Sequence, residues 1–149
     1  CNGVVCIEEE QDIVYRQAPP AGGTQGAPEP YAEQAQWGRD VLTDSTMLFR
    51  FSALTFNGHR IHYDQDYARN EEGYPDLVVH GPLTATLLQQ LAVEEAGRPL
   101  QHFEFRGVSP LFVGRTFRIE GRQSEPNSLA LWARGPDAEL VMSASATFR

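Results

Sequence analysis

Residues 78–97 read VVHGPLTATLLQQLAVEEAG, and this stretch decides the fold. Leu83, Leu87, Leu88, Leu91 and Ala92 recur at three- and four-residue spacing, which puts them on one stripe of a helix. Pro82 suits the first helical position, where its missing N–H costs no bond. Gly97 supplies the stop and Arg98-Pro99 follows it. The pattern predicts a buried helix over residues 83–96. What covers it comes next in the chain. Residues 102–106 alternate, with Phe103 and Phe105 on one side, until Ser109-Pro110 break the run. Residues 116–121 alternate through Phe117 and Ile119, and strands over 129–133 and 139–149 flank a turn at Gly135-Pro136. The fold class is α+β: a curved antiparallel sheet wrapped around one long central helix.

Upstream of the helix the signals are shorter. Residues 37–43 read as extended chain. Asp44 and Ser45 are N-cap candidates for a helix over 46–55, whose Met47, Leu48, Phe51 and Leu54 keep helical spacing. Phe56-Asn57-Gly58 ends it, with the glycine expected to take the strain of the turn. Asp64 caps a short turn over 65–69, and 70–77 is a polar loop holding Gly73 and Pro75. Residues 17–36, rich in Pro and Gly, read as a linker. Before it, Val4, Val5, Ile7, Ile13, Val14 and Tyr15 read as a strand after an Asn2-Gly3 turn. A strand needs a partner, and none precedes this one. The expectation is therefore a piece of a longer polypeptide: 1–16 the last strand of a preceding unit, 17–36 a linker and 37–149 the domain itself.

Composition narrows the chemistry. The chain has 149 residues, 41% of them hydrophobic and 21% charged, which fits one globular domain. A net charge of −8 repels nucleic-acid phosphates over most of the surface. All twelve basic residues are Arg, so Schiff-base, lysine-base and P-loop mechanisms are excluded within this chain. Two cysteines, Cys1 and Cys6, cannot build a disulfide framework or a four-ligand zinc site. No apolar run reaches the ~20 residues that span a bilayer. The first residues carry no basic and apolar targeting pattern, and the expected location is cytoplasmic.

Two clusters can carry chemistry. FSALTFNGHRIHYD, residues 51–64, brings Asn57, His59, Arg60, His62, Tyr63 and Asp64 close together in sequence. VVHGPL, residues 78–83, puts the Gly81 N–H at the start of the most apolar helix. His62 can act as acid or base near neutral pH. Asn57 can hold a water but cannot take a proton. The Gly81 N–H, at a helix N-terminus, suits a developing oxyanion. Together they point to chemistry beside a carbonyl, a thioester enolate being a natural target. Blander readings stand alongside. His62 can be a packing residue, His59 and His62 can be metal ligands, His80 can cap its helix, His102 can lie on an exposed strand face, and Arg60 can pair with Asp64 or Asp66.

FSALTFNGHRIHYDQDYA resembles the signature segment of the MaoC-like, or R-specific enoyl-thioester hydratase, hot-dog family. VVHGPLTATLL resembles the start of that family's central helix, and FEFRGVSPLFVGRTFRIEG its following strand pair. The three matches lie in order and cover most of residues 47–122. The form TFNGHRIHYD is similar to one branch, that of 3-hydroxyacyl-thioester dehydratases and of itaconyl-CoA and mesaconyl-C4-CoA hydratases, some of which are double hot dogs in one chain. The resemblance implies a hot-dog fold and a catalytic set of His62, Asn57 and Gly81, with Asn57 standing where the usual hydratase has Asp. Arg60, His59, Tyr63 and His80 are the expected substrate-binding residues, Arg60 by gripping a free carboxylate of the substrate. The implied reaction adds water to a branched C5 dicarboxylyl-CoA, with no metal or redox cofactor. For itaconyl-CoA the double bond lies one carbon further from the thioester, so an added proton relay or isomerisation is required. The partner it implies is a second hot-dog domain, as a dimer or a pseudo-dimer, with no nucleic acid and no membrane. CoA is polyanionic, so Arg106, Arg115, Arg118 and Arg122 are expected to gather along one rim. A 3-hydroxyacyl-thioester dehydratase of fatty-acid synthesis and a non-catalytic hot-dog scaffold are the alternatives.

Overall fold

The structure, a computed structural model, describes residues 2–13 and 30–149. Five strands form one antiparallel sheet: β1 (Trp37–Val41), β2 (Leu100–Gly107), β3 (Phe117–Glu125), β4 (Ser128–Arg134) and β5 (Leu140–Phe148), in the order β1-β3-β4-β5-β2. Register is set by pairs such as Trp37 with Gly121, Glu120 with Trp132, Leu131 with Ala144 and Phe103 with Ala146. Three helices precede or interrupt the strands: α1 (Ser45–Thr55), α2 (Gln65–Asn70) and α3 (Gly81–Ala96). Pro82 stands in the first turn of α3, and Gly97 closes it in the left-handed region at φ 60°.

The leucine stripe does what its spacing requires. Leu83, Leu88, Leu91 and Ala92 are buried against Phe117, Ile119, Leu131, Val141 and Phe148 of the sheet. The expected helix–sheet layering is thus observed, with strand boundaries shifted by a few residues.

The other face of the sheet is polar, and residues 30–36 cover part of it at β3 and β4. Glu120 is buried there, and its carboxylate accepts from Trp132 Nε1 at 2.7 Å, Arg134 Nε at 2.7 Å and Arg118 Nε at 3.2 Å. Arg134 in turn donates to the carbonyls of Tyr31 and Glu33. Tyr31 N–H donates to Ala138 O, Gln36 N–H to Gly121 O, and the Tyr31 ring meets Trp132 edge-on at 5.8 Å. Residues 30–36, expected as linker, are therefore docked on the sheet. Gly121 is required where it stands, because a Cβ there would collide with the Trp37 indole.

Three expectations upstream change. In α1 only Leu48 of the four apolar residues is fully buried; Phe51 is half-buried, and Met47 and Leu54 are exposed. The left-handed residue ending α1 is Phe56, at φ 53°, rather than a glycine. Residues 2–13 hold a turn and no strand, and Val4, Val5, Ile7 and Ile13 are exposed. Cys1, Val14, Tyr15 and the linker up to residue 29 lie outside the described residues.

Candidate active site

His62 ends a 3-10 turn, Arg60–His62, that the sequence did not announce. Its ring is buried, and Nδ1 lies 2.7 Å from Val78 O. A carbonyl oxygen only accepts, so Nδ1 carries the proton and Nε2 holds the free lone pair. Val78 is itself fixed, since its N–H donates to Ile61 O at 3.0 Å and Val79 N–H donates to Leu111 O at 2.8 Å. Burial lowers the His62 pKa, the Val78 bond partly opposes this, and His59 lowers it further. The imidazole is neutral at pH 7, the form a general base needs.

The His80 ring stacks on His62, centroids 3.8 Å apart and planes 19° from parallel. Its Nε2 lies 2.8 Å from Ser52 Oγ of α1, and Phe51 of the same helix sits 4.8 Å from its ring. Burial, and then the His62 charge, push the His80 pKa down to about 4. The side chain makes no capping bond; the helix start is closed by its backbone oxygen instead, which accepts from Leu83 and Thr84 N–H. The ring is 0% exposed.

Gly81 follows directly as the first residue of α3. Its N–H has no carbonyl a turn earlier to bond, and it sits at the positive end of a 16-residue helix. A Cβ here would meet only Met142 Cε, at 4.0 Å. Gly81 follows His80, whose ring stacks on His62.

Asn57 Oδ1 accepts from His59 N–H at 2.9 Å. Its amide nitrogen makes no hydrogen bond among the described residues, so what Asn57 offers outward is a donor. His59 is exposed and sets its ring edge-on to His62 at 5.5 Å. Among the described residues no group of three or more His, Cys, Asp or Glu could hold a metal. Tyr63 is 41% exposed, and its hydroxyl donates to Gly58 O at 2.9 Å, which braces the loop. His102 is exposed on β2.

Arg60, expected to grip a substrate carboxylate, is paired with Asp64 in this structure. Its Nε and NH2 both donate to Asp64 Oδ2, at 3.1 and 2.7 Å, and its guanidinium lies over the Tyr67 ring at 4.1 Å. The side chain is 53% exposed. Arg106, Arg118 and Arg122 do not share a rim. Arg118 pairs with Asp40 and Glu120, Arg122 with Glu33, and Arg106 lies on β2 at the opposite edge of the sheet. Sequence reading also missed Ser52. A serine four residues after Leu48, on the buried stripe of α1, was a usable signal, because a buried hydroxyl needs a partner.

A single curved antiparallel sheet around α3 defines a hot-dog domain. A profile of the hydroxyacyl-thioester dehydratase type 2 family matches residues 1–113, and the chain belongs to that family. It is 50% identical over 151 residues to a mesaconyl-C4-CoA hydratase of Chloroflexus aurantiacus, covering 95% of this chain and 50% of that protein. It is 34% identical over 119 residues to the mitochondrial hydroxyacyl-thioester dehydratase type 2 of Schizosaccharomyces pombe, covering 77% of this chain and 39% of the relative. The chain thus spans half or less of these relatives. In structure it is similar to a MaoC-like dehydratase from Phytophthora capsici, with a TM-score of 0.69 at 13% identity over 85% of this chain and 44% of the other.

Proposed function

We propose that this chain carries the site of a CoA-thioester hydratase that adds water to mesaconyl-C4-CoA, giving citramalyl-CoA. The observation that supports the chemistry is the His62–Val78 bond, which occupies Nδ1 and leaves the Nε2 lone pair available as a base. The identity to the Chloroflexus enzyme supports the substrate. The thioester oxygen accepts from Gly81 N–H, and the amide nitrogen of Asn57 donates to a water. His62 Nε2 takes a proton from that water as its oxygen bonds to the carbon β to the thioester. The double-bond electrons move to the α carbon and the carbonyl oxygen, forming the enolate. The imidazolium then returns its proton to the α carbon. A preorganised oxyanion donor contributes about 3–4 kcal/mol to such a step.

Arg60 is left out of this scheme, because a substrate carboxylate would have to displace Asp64. A second hot-dog domain remains the partner the surface fits. Among the described residues the outer edge of β2 has no neighbouring strand, and Phe105 on it is 44% exposed. The second reading, dehydration of a 3-hydroxyacyl thioester, uses the same groups in reverse and is favoured by the family profile and the S. pombe relative. Comparing kcat/KM for mesaconyl-C4-CoA and crotonyl-CoA separates them. Preference for the former is expected; a strong preference for crotonyl-CoA overturns the substrate.

A further inference from the structure

The reaction as written leaves one buried imidazole unused. His80 is wholly buried, and its Nδ1 has no hydrogen-bond partner among the described residues. A buried polar atom left unpaired costs on the order of 1–3 kcal/mol. An apolar side chain of similar size would fill the space without that cost, so packing alone does not account for an imidazole here.

Its contacts run in one direction. Ser52 Oγ, on α1, holds Nε2 at 2.8 Å, and the ring face lies 3.8 Å from His62. His62 has a single ring hydrogen bond, to Val78 O, which leaves the ring free to tilt about that bond. A flat neighbour held parallel to it removes the tilt. His80 also precedes Gly81 in the chain, so whatever fixes its ring against His62 fixes the Gly81 N–H as well.

We propose that His80 is a positioning residue: tied to α1 through Ser52, it clamps the face of His62 and locks the base and the oxyanion donor into one rigid unit. The proposal deepens the hydratase reading and rests on it. The clamp adds no charge. The titratable groups around His62 are His59 on its own turn and His80; those around His80 are His62, with uncharged Ser52 and Phe51 from α1. Burial, and then the His62 charge, push the His80 pKa down to about 4, so the stack does not hold two cations near neutral pH.

The chain has four histidines, which makes 15N-imidazole spectra readable. In the wild-type chain His62 should show a neutral, protonated-Nδ1 signature. In Ser52→Ala and in His80→Leu that signal should move toward an average of the two tautomers. The kcat for mesaconyl-C4-CoA hydration should fall about 10- to 100-fold with KM within about twofold, the pattern of a misplaced reactive group. Ser52→Ala removes one hydroxyl and keeps the test available should His80→Leu fail to fold. A folded Ser52→Ala chain with an unchanged His62 signal overturns the proposal, whatever its rate. Spectral changes in a wild-type chain background that hydrates no enoyl thioester would support the clamp and overturn the hydratase reading.

Discussion

Acid should unfold this protein earlier than its carboxylates alone would, and His80 sets much of the difference. An unfolded histidine titrates near 6.5, whereas in the folded chain burial and the His62 charge hold His80 to about 4. Between those values the unfolded chain binds a proton that the folded chain refuses. The contribution to stability is therefore complete above pH 6.5 and is lost as pH falls toward 4. At about 1.4 kcal/mol per pH unit, the loss attributable to His80 is roughly 3 kcal/mol by pH 4. That is a large part of a typical stability of about 5–15 kcal/mol. His62, also lowered, acts with the same sign and adds its own share. Asp64 and Asp76 are held below 3.8 by their hydrogen bonds, so their contributions are present above 3.8 and lost only at lower pH. The interval from 6.5 to 4 belongs to the histidines. Urea unfolding of the wild-type chain and of His80→Phe, each at about pH 7.5 and pH 4, measures the effect. The wild-type chain should lose roughly 3 kcal/mol more than the variant over that interval. Equal losses would show that protons reach His80 without disturbing the fold, and the reasoning about its burial would fail.

Other outcomes follow from the same contacts. Arg60→Ala should change kcat/KM for mesaconyl-C4-CoA and crotonyl-CoA alike, and should cost less than about 1 kcal/mol of stability, since the Asp64 pair is exposed; a loss confined to the dicarboxylyl substrate would restore the carboxylate role. Glu120→Ala should destabilise by about 3 kcal/mol or more in denaturant unfolding, because it strands Arg134 and the Trp132 N–H on a covered face; a cost under about 1 kcal/mol would mean that water reaches the network. Phe56→Gly should raise stability by about 0.5–1 kcal/mol, since a 96% exposed phenylalanine stands in the left-handed region; a lower thermal midpoint would contradict this.

The central helix was legible because its signals agreed: a leucine stripe, Pro82 at the start and Gly97 at the end all mark the same segment. Asp44 and Asp64 were likewise readable as caps, accepting from Met47 and Tyr67 N–H. The strands were legible by alternation, though less sharply at their ends. Residues 30–36 were not, since Pro- and Ala-rich chain carries no periodicity and its attachment depends on Arg134, far away in sequence. The site was half legible. Residue types and order singled out His62, Asn57 and Gly81, but not what each ring nitrogen bonds. The burial of His80 and its stack on His62 join residues 18 apart across two loops, which no local pattern encodes. The Arg60–Asp64 pair was visible at its four-residue spacing, and it was the plainer alternative that the structure realises.

The most direct measurement is the rate of water addition to mesaconyl-C4-CoA by the wild-type protein and by its His62→Ala variant, followed by loss of the conjugated thioester absorbance. The account expects a fall of about 10²- to 10⁴-fold on removing the imidazole, with the fold intact by circular dichroism. A variant that keeps its rate within a few-fold would show that the proton is moved elsewhere.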